Sequence, residues 1–205
     1  ALPILIRNNF DELDFPDNQY KRAHFYAQTA SFLDKLQSLW FYGVLRFQNP
    51  WDSFFNHRDV DDNTFLHHAA LYDKTEVLKW YLDRHCAPNA LESEDNWWVF
   101  QYIGLGVRRT RDVIQDSDFL PIRRRFVNLQ NNQGNTPLHM AAGGGNYRSI
   151  ELLFQCDRVD PTQENNEGQI PFHYMLSVLD KDQSQINDNY KYSAQLFMDK
   201  VNPLW

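Results

Sequence analysis

The stretch GNTPLHMAAGGGN, residues 134–146, allows two opposite interpretations of this chain. It places a histidine beside an apolar segment and then three glycines in a row. As chemistry, Thr136 and His139 would be a hydroxyl and its base, and the glycines would form a phosphate-binding loop. As architecture, the stretch would be the start of a short helix, its buried side and its end. The first interpretation predicts an enzyme, and the second predicts a scaffold.

The same pattern recurs along the chain. NTFLHHAALYDKTEVLKWYLDRHCAPNA at 63–90 and NTPLHMAAGGGNYRSIELLFQCDRVDP at 135–161 share Thr, Leu, His, a free position and two alanines. A turn and an apolar helical segment follow in both. A weaker copy, EGQIPFHYML at 167–176, keeps Gly168, Pro171 and His173. Self-similarity at a period of this length is typical of solenoids.

This template resembles the ankyrin repeat, whose unit reads roughly D-x-x-G-x-T-P-L-H-x-A-A-x-x-G and then V-x-x-L-L. The register predicts units at about 59–91, 92–130, 131–164 and 165–199, the second of them degenerate around NWWVFQYIGLG at 96–106. The resemblance implies an all-α ankyrin-repeat solenoid of stacked antiparallel helix pairs. It also implies protein binding through the concave face and turn tips, without catalysis.

The N-terminal residues 1–57 carry no repeat signature. Apolar residues at helical spacing in YKRAHFYAQTASFLDKLQSLWFYGVL, residues 20–45, predict a helical region that Asn49-Pro50 should end. The end units of a solenoid must cover the apolar face of the neighbouring repeat. We therefore expect a helical N-terminal cap over 1–57, followed by a repeat domain with a C-terminal cap over 58–205.

Each residue of the motif has a structural role. Thr136 is predicted to be the N-cap, and Pro137 fits the first helical position, where a missing N–H costs nothing. His139 can reach back to the cap hydroxyl, and the two alanines allow neighbouring helices to approach closely. Gly145 should reverse the chain with a positive φ, and Asp73 takes the same place in the earlier copy. No part of the motif requires a ligand.

The catalytic alternatives fit the spacing poorly. GGGNYRS at 143–149 has neither the GxxxxGK[ST] nor the GxGxxG pattern of a phosphate loop. His67, His139 and His173 recur once per unit, so packed helices should hold successive rings about 10 Å apart, too far for one metal. The sequence therefore predicts no catalytic residue, no metal and no cofactor.

Composition limits the class of protein and of partner. The 205 residues are 42% hydrophobic and 15% aromatic, as expected for one folded domain with a small cap. A formal charge of -7 disfavours nucleic acid and anionic lipid as partners. Cys86 and Cys156 have no metal-ligand spacing and favour a reducing compartment. We expect an intracellular, soluble, cytoplasmic protein that is monomeric without its partner.

An arginine-rich segment leaves an alternative open. VRRTR at 107–111 and IRRRF at 122–126 contain Arg108, Arg109, Arg111, Arg123, Arg124 and Arg125. They would form either a solvated face balanced by nearby aspartates, which we favour, or a basic patch for anionic lipid, an acidic peptide or nucleic acid. A further alternative is that this chain recruits substrates for a larger enzyme.

The candidate partner-binding residues are those that the motif leaves free or that lie in the tips. They are Asp61, Asn63, His68, Leu71, Tyr72, Ser93, Glu94, Asn96, Gln101, Leu105, Asn132, Gln133, Asn135, Met140, Asn166, Glu167, Gln169 and Tyr174. We expect His68 to be exposed, and Gly143 and Gly144 to leave a shallow hollow for a partner's side chain. The degenerate repeats are also similar in style to ankyrin effectors that intracellular bacteria deliver into host cells, which would make the partner a host protein.

Overall fold

The computed structural model describes residues 23–41, 57–85, 127–181 and 187–201. Within these ranges all regular structure is helical, as the sequence predicts. A 3₁₀ helix, Ala23–Tyr26, is followed by α1 Ala30–Phe41, α2 Phe65–Leu71, α3 Thr75–His85, α4 Pro137–Gly143, α5 Tyr147–Phe154, α6 Pro171–Lys181 and α7 Asp188–Val201.

The helices form three consecutive pairs, α2 with α3, α4 with α5, and α6 with α7. Asp73 and Gly145 turn the chain within the first two pairs, with φ values of 49° and 64°. The inner helices α2, α4 and α6 stack in that order, and the outer helices α3, α5 and α7 stack beside them. The prediction of a solenoid of stacked helix pairs is confirmed.

The interior follows the motif. Ala69, Ala70, Ala141 and Ala142 are all buried, so small side chains occupy the positions where the inner helices meet. The outer helices contribute large apolar side chains to the same core, namely Val77, Leu78, Ile150 and Leu153. Each large side chain stabilises the fold by about 1.5–3 kcal/mol relative to an exposed position.

Each of the motif histidines His67 and His139 forms hydrogen bonds both within its own unit and to the next unit. The backbone N–H of Thr136 donates to Nδ1 of His139 at 3.1 Å, so this ring atom is an acceptor and Nε2 carries the hydrogen. Nε2 then donates to the carbonyl oxygen of Gln169, 2.9 Å away in the next unit. His67 repeats the arrangement with Thr64 at 3.1 Å and the carbonyl of Asn135 at 2.9 Å. The histidine therefore closes its own helix start and ties it to the following unit.

Two units that are far apart in the chain stack directly on each other. Helices α2 and α4 are in direct contact, and the backbone N–H of Asn132 donates to the carbonyl of Asp61 at 3.1 Å. The unit at 59–91 is therefore a direct neighbour of the unit at 131–164. The predicted unit at 92–130 lies almost entirely outside the described residues and stays a prediction.

Residues 23–41, part of the predicted N-terminal cap, lie against the first unit. Trp80 of α3 donates its indole N–H to Oδ1 of Asp34 in α1 at 2.7 Å. Phe25 of the 3₁₀ helix packs its edge on the ring of His68, with centroids 5.3 Å apart. Phe25 and Leu33 are buried against the first unit. The remainder of the predicted cap lies outside the described residues.

Cysteine usage differs from the expectation. Cys156 is buried just after α5 and is disulfide-bonded. Sequence spacing could not show this, because a disulfide depends on which residues the fold brings together. The chain's other cysteine, Cys86, lies outside the described residues. Since disulfides persist mainly in oxidising environments, the cysteines no longer argue for a reducing compartment.

Replacing His139 by alanine should lower the free energy of unfolding by about 1–3 kcal/mol, because the buried N–H of Thr136 and the partly buried carbonyl of Gln169 lose their partners. The matched control is His173→Ala. His173 occupies the same motif position in the last unit but is exposed, so its loss should cost less than about 0.5 kcal/mol. Urea denaturation measures both values. Equal losses would contradict the role assigned to the buried histidine.

Stability should fall on acidification, because burial lowers the pKa of His67 from 6.5 to about 3 and also lowers that of His139. Both rings stay neutral in the folded chain and take up protons on unfolding, so their contribution is complete above pH 6.5 and is lost progressively below it. At about pH 5, His67 alone should lower the free energy of unfolding by about 2 kcal/mol relative to neutral pH. Urea titrations at several pH values below 6.5 measure this loss of stability, and His67→Gln should make the free energy of unfolding less dependent on pH.

Candidate functional site

Three tight turns precede the inner helices, and we call them the tips. In the middle tip, Oδ1 of Asn131 accepts the backbone N–H groups of Gln133 and Asn135 at 3.0 and 2.9 Å. Gly134, with φ 76°, reverses the chain. The other two tips are built in the same way on Asp59 with Asp62 and on Asn165 with Gly168. A side-chain oxygen thus replaces water on the turn amides.

The tips are joined into one ribbon. Backbone N–H groups of Asn132 and Asn166 each donate to the preceding tip at 3.1 Å, the latter to the carbonyl of Gln133. Buried amides form a second row of bonds, in which Nδ2 of Asn131 donates to Asn63 and Nδ2 of Asn165 to Asn135, both at 2.9 Å. The backbone that presents the tip side chains is therefore held by its neighbours rather than by solvent.

The exposure of the predicted partner-binding residues varies. The exposed ones are Asp61, Tyr72, Asn132, Gln133, Asn166 and Glu167, and the partly exposed ones are Leu71, Met140, Gln169 and Tyr174. Ser93, Glu94, Asn96, Gln101 and Leu105 lie outside the described residues, as do all six arginines of the predicted basic patch. The role of each residue in binding stays a prediction.

Three predicted contact residues are buried. Asn63 and Asn135 belong to the amide row between the tips. His68 was expected to be exposed, but it retains only 9% of its accessible surface. Its Nε2 lies 2.7 Å from Oδ2 of Asp59, and the N-terminal segment covers it through Phe25. A position that the repeat motif leaves free is therefore buried when another element of the chain packs on it.

The carboxylate of Asp59 is held in its charged form. Burial raises the pKa of Asp59, but hydrogen bonds from His68 and from the backbone N–H groups of Asn63 and Asp61 together bring it below its usual value. The same carboxylate closes the first tip. Asp59 and His68 therefore serve the architecture of the tip, and neither presents a free base to a substrate.

The hollow predicted at the glycines is filled. A Cβ at Gly143 would lie 2.7 Å from Cε1 of Tyr174, and a Cβ at Gly144 would lie 2.7 Å from Nδ2 of Asn146. At the neighbouring Gly145, a Cβ would lie 2.7 Å from Cε2 of Tyr190. The hydroxyl of Tyr190 also donates to the carbonyl of Gly143 at 2.8 Å. The glycines are therefore packing sites for two tyrosines of the following unit. Only Gly144 remains exposed.

The exposed groups of the tips are polar, whereas the motif histidines are buried. The exposed tip side chains are amides and carboxylates, which can accept hydrogen bonds from another protein, and the amides can also donate them. His67 and His139 are buried, with both ring nitrogens already bonded. Within the described ranges, no group of three or more His, Cys, Asp or Glu side chains is placed to hold a metal ion.

Comparison with known families agrees with this geometry. Residues 125–175 match the family model described as ankyrin repeats in many copies, and residues 61–90 match the ankyrin repeat model. The chain therefore contains ankyrin repeats in these two ranges. The range 125–175 contains the middle and third tips, α4, α5 and the start of α6, and the range 61–90 begins within the first tip and contains α2 and α3. Among the described residues of this ankyrin repeat protein, no helix combines the length and apolar character needed to cross a membrane.

Two further similarities concern relatives. The putative ankyrin repeat protein L371 of Acanthamoeba polyphaga mimivirus is 24% identical over 141 residues, which are 69% of this chain and 18% of that protein. A chain in the crystal structure of the yeast ribosomal protein Rps3 with its chaperone Yar1 is similar in fold, with a TM-score of 0.51 and 17% identity. The match covers 87% of this ankyrin repeat protein and 91% of that chain.

Alanine at Gly145 should destabilise the protein more than alanine at Gly168. Both glycines have positive φ, 64° and 72°, so each substitution incurs about 1–2 kcal/mol of backbone strain. At Gly145 the new methyl group also meets the ring of Tyr190, whereas at Gly168 no atom lies within 4 Å. We expect an additional loss of about 1–3 kcal/mol at Gly145, measured by urea denaturation. Equal losses would mean that Tyr190 does not need the glycine.

Proposed function

We propose that this ankyrin repeat protein is a non-catalytic scaffold that binds a partner protein through the concave face and the tips. Ankyrin repeats generally mediate protein–protein interaction. The observation that carries the proposal is the tip ribbon, in which hydrogen bonds hold the backbone while Asp61, Asn132, Gln133, Asn166 and Glu167 remain exposed.

A fixed backbone matters for affinity. Binding must repay the entropy of ordering loops and side chains at the interface, and a surface that is already ordered avoids much of that loss. The partly exposed Met140 and Tyr174 lie on the inner helices that follow the second and third tips. They would supply apolar contact beside the polar tip groups, which is the composition expected of a transient protein interface.

The other sequence hypotheses have less support. Similarity to a mimivirus protein gives no reason to prefer a bacterial effector, and the disulfide at Cys156 removes the argument for a cytoplasmic location. Binding of lipid or nucleic acid by the arginines, and recruitment of substrates for a larger enzyme, stay hypotheses. The chain spans only 18% of its mimivirus relative. The recruitment hypothesis would require a catalytic region beyond this chain.

Site-specific photo-crosslinking in the native cell tests the proposal. A photoreactive amino acid at Gln133, on the middle tip, should form a crosslink to one dominant protein. The matched control is the same group at Lys79, which is exposed on the outer helix α3. We expect no such product from Lys79. The same product from Lys79 and none from Gln133 would place binding on the outer surface and refute the proposal.

A further inference from the structure

Exposed tyrosines mark a second surface, at the end of the inner helices remote from the tips. Tyr72 follows α2, Tyr147 begins α5 and Tyr192 lies in the first turns of α7. Tyr72 and Tyr192 retain 62% and 60% of their accessible surface, and Tyr147 is partly exposed. Each of the three units therefore places one tyrosine near the turn between its inner and outer helix, or at the start of its outer helix.

This surface has a rigid base. The side-chain amide of Asn146 donates to the carbonyls of Ala70 and Leu71 at 2.8 and 2.7 Å. The hydroxyl of Ser149 donates to Oδ1 of Asp73 at 2.7 Å. These bonds connect the turn of the first unit to the start of α5. The residues between them, Tyr147 and Arg148, therefore stand on backbone that the stack holds in place.

The centre of the surface is a preorganised arginine. The rings of Tyr147 and Tyr192 lie 5.6 Å apart, and Cζ of Arg148 lies 5.5 Å from the centroid of Tyr147. Nε of Arg148 donates to the hydroxyl of Tyr147 at 3.1 Å. This bond occupies Nε and leaves the two terminal nitrogens of the guanidinium for another acceptor.

Arg148 also lacks an acidic partner in the described part of the chain. Asp73 acts on it electrostatically, but no ion pair forms between them, and the carboxylate of Asp73 accepts from Ser149 instead. Lys191 differs, because it pairs with Asp188 at 2.9 Å. An exposed guanidinium that is held in place by an aromatic ring and not neutralised suits a carboxylate from another molecule.

We propose that Tyr147, Arg148 and Tyr192 form a second docking site, the tyrosine edge, for an acidic segment of a partner protein. An aspartate or glutamate of that segment pairs with the terminal nitrogens of Arg148. A neighbouring apolar side chain packs on the two tyrosine rings. Tyrosine and arginine are the residue types that most often dominate binding energy at protein interfaces. The site is separate from the tips and does not depend on their function.

Selection from a library of short random peptides displayed on phage tests the tyrosine edge, with the whole chain as target. We expect the selected peptides to contain aspartate or glutamate beside an apolar residue. Arg148→Glu should weaken their binding by at least about tenfold, and Tyr192→Ala should weaken it less. Lys79→Glu is the matched charge reversal on an exposed outer helix and should leave the affinity unchanged. Arg148→Lys keeps the positive charge but lacks the paired terminal nitrogens of the guanidinium, so it should give an intermediate loss of affinity.

The outcomes are distinguishable. Peptides that bind Arg148→Glu as well as the parent chain overturn the proposal. So does binding that requires a phosphorylated peptide or anionic vesicles, since both would indicate a phosphate site. Peptides that lose affinity with Gln133→Ala and not with Arg148→Glu overturn the tyrosine edge and support the tip surface. Thermal unfolding of each variant shows that the exposed substitutions leave the fold intact.

Discussion

One hydrogen bond recurs at both junctions of the described stack and joins each unit to the next. It runs from Nε2 of a motif histidine to a carbonyl of the following unit, from His67 to Asn135 and from His139 to Gln169. The bond requires the neutral ring with hydrogen on Nε2, which the threonine N–H selects by occupying Nδ1. The bond that caps the helix therefore also sets the histidine tautomer that joins one unit to the next.

Close approach of the units follows from small residues. The alanine pairs allow the inner helices to pack, and the bare Gly143 and Gly145 accommodate Tyr174 and Tyr190 of the next unit. A side chain at either position would meet one of these rings and push the units apart. The glycine run therefore serves the third unit, and the tyrosines cover the backbone that the glycines expose.

The same construction produces two chemically different edges. At the tips, asparagine and aspartate oxygens are used to close turns, so the groups left for a partner are exposed amides and carboxylates. At the other end of the inner helices, the groups left are tyrosine rings and Arg148. A repeat protein can carry two such surfaces because the side chains of its turns and helix starts remain available to a partner when they do not take part in contacts between units.

The amino-acid sequence alone predicts the ankyrin repeats, the helix pairs and the capping roles of Thr136, Pro137 and His139, because these depend on local spacing and backbone preference. It did not determine that the first unit stacks directly on the unit at 131–164, that Phe25 covers His68, or that Tyr174 fills the space over Gly143. These points are visible only in the folded chain. A repeat pattern reports what each unit needs, whereas neighbour order and burial depend on contacts between residues far apart in the chain.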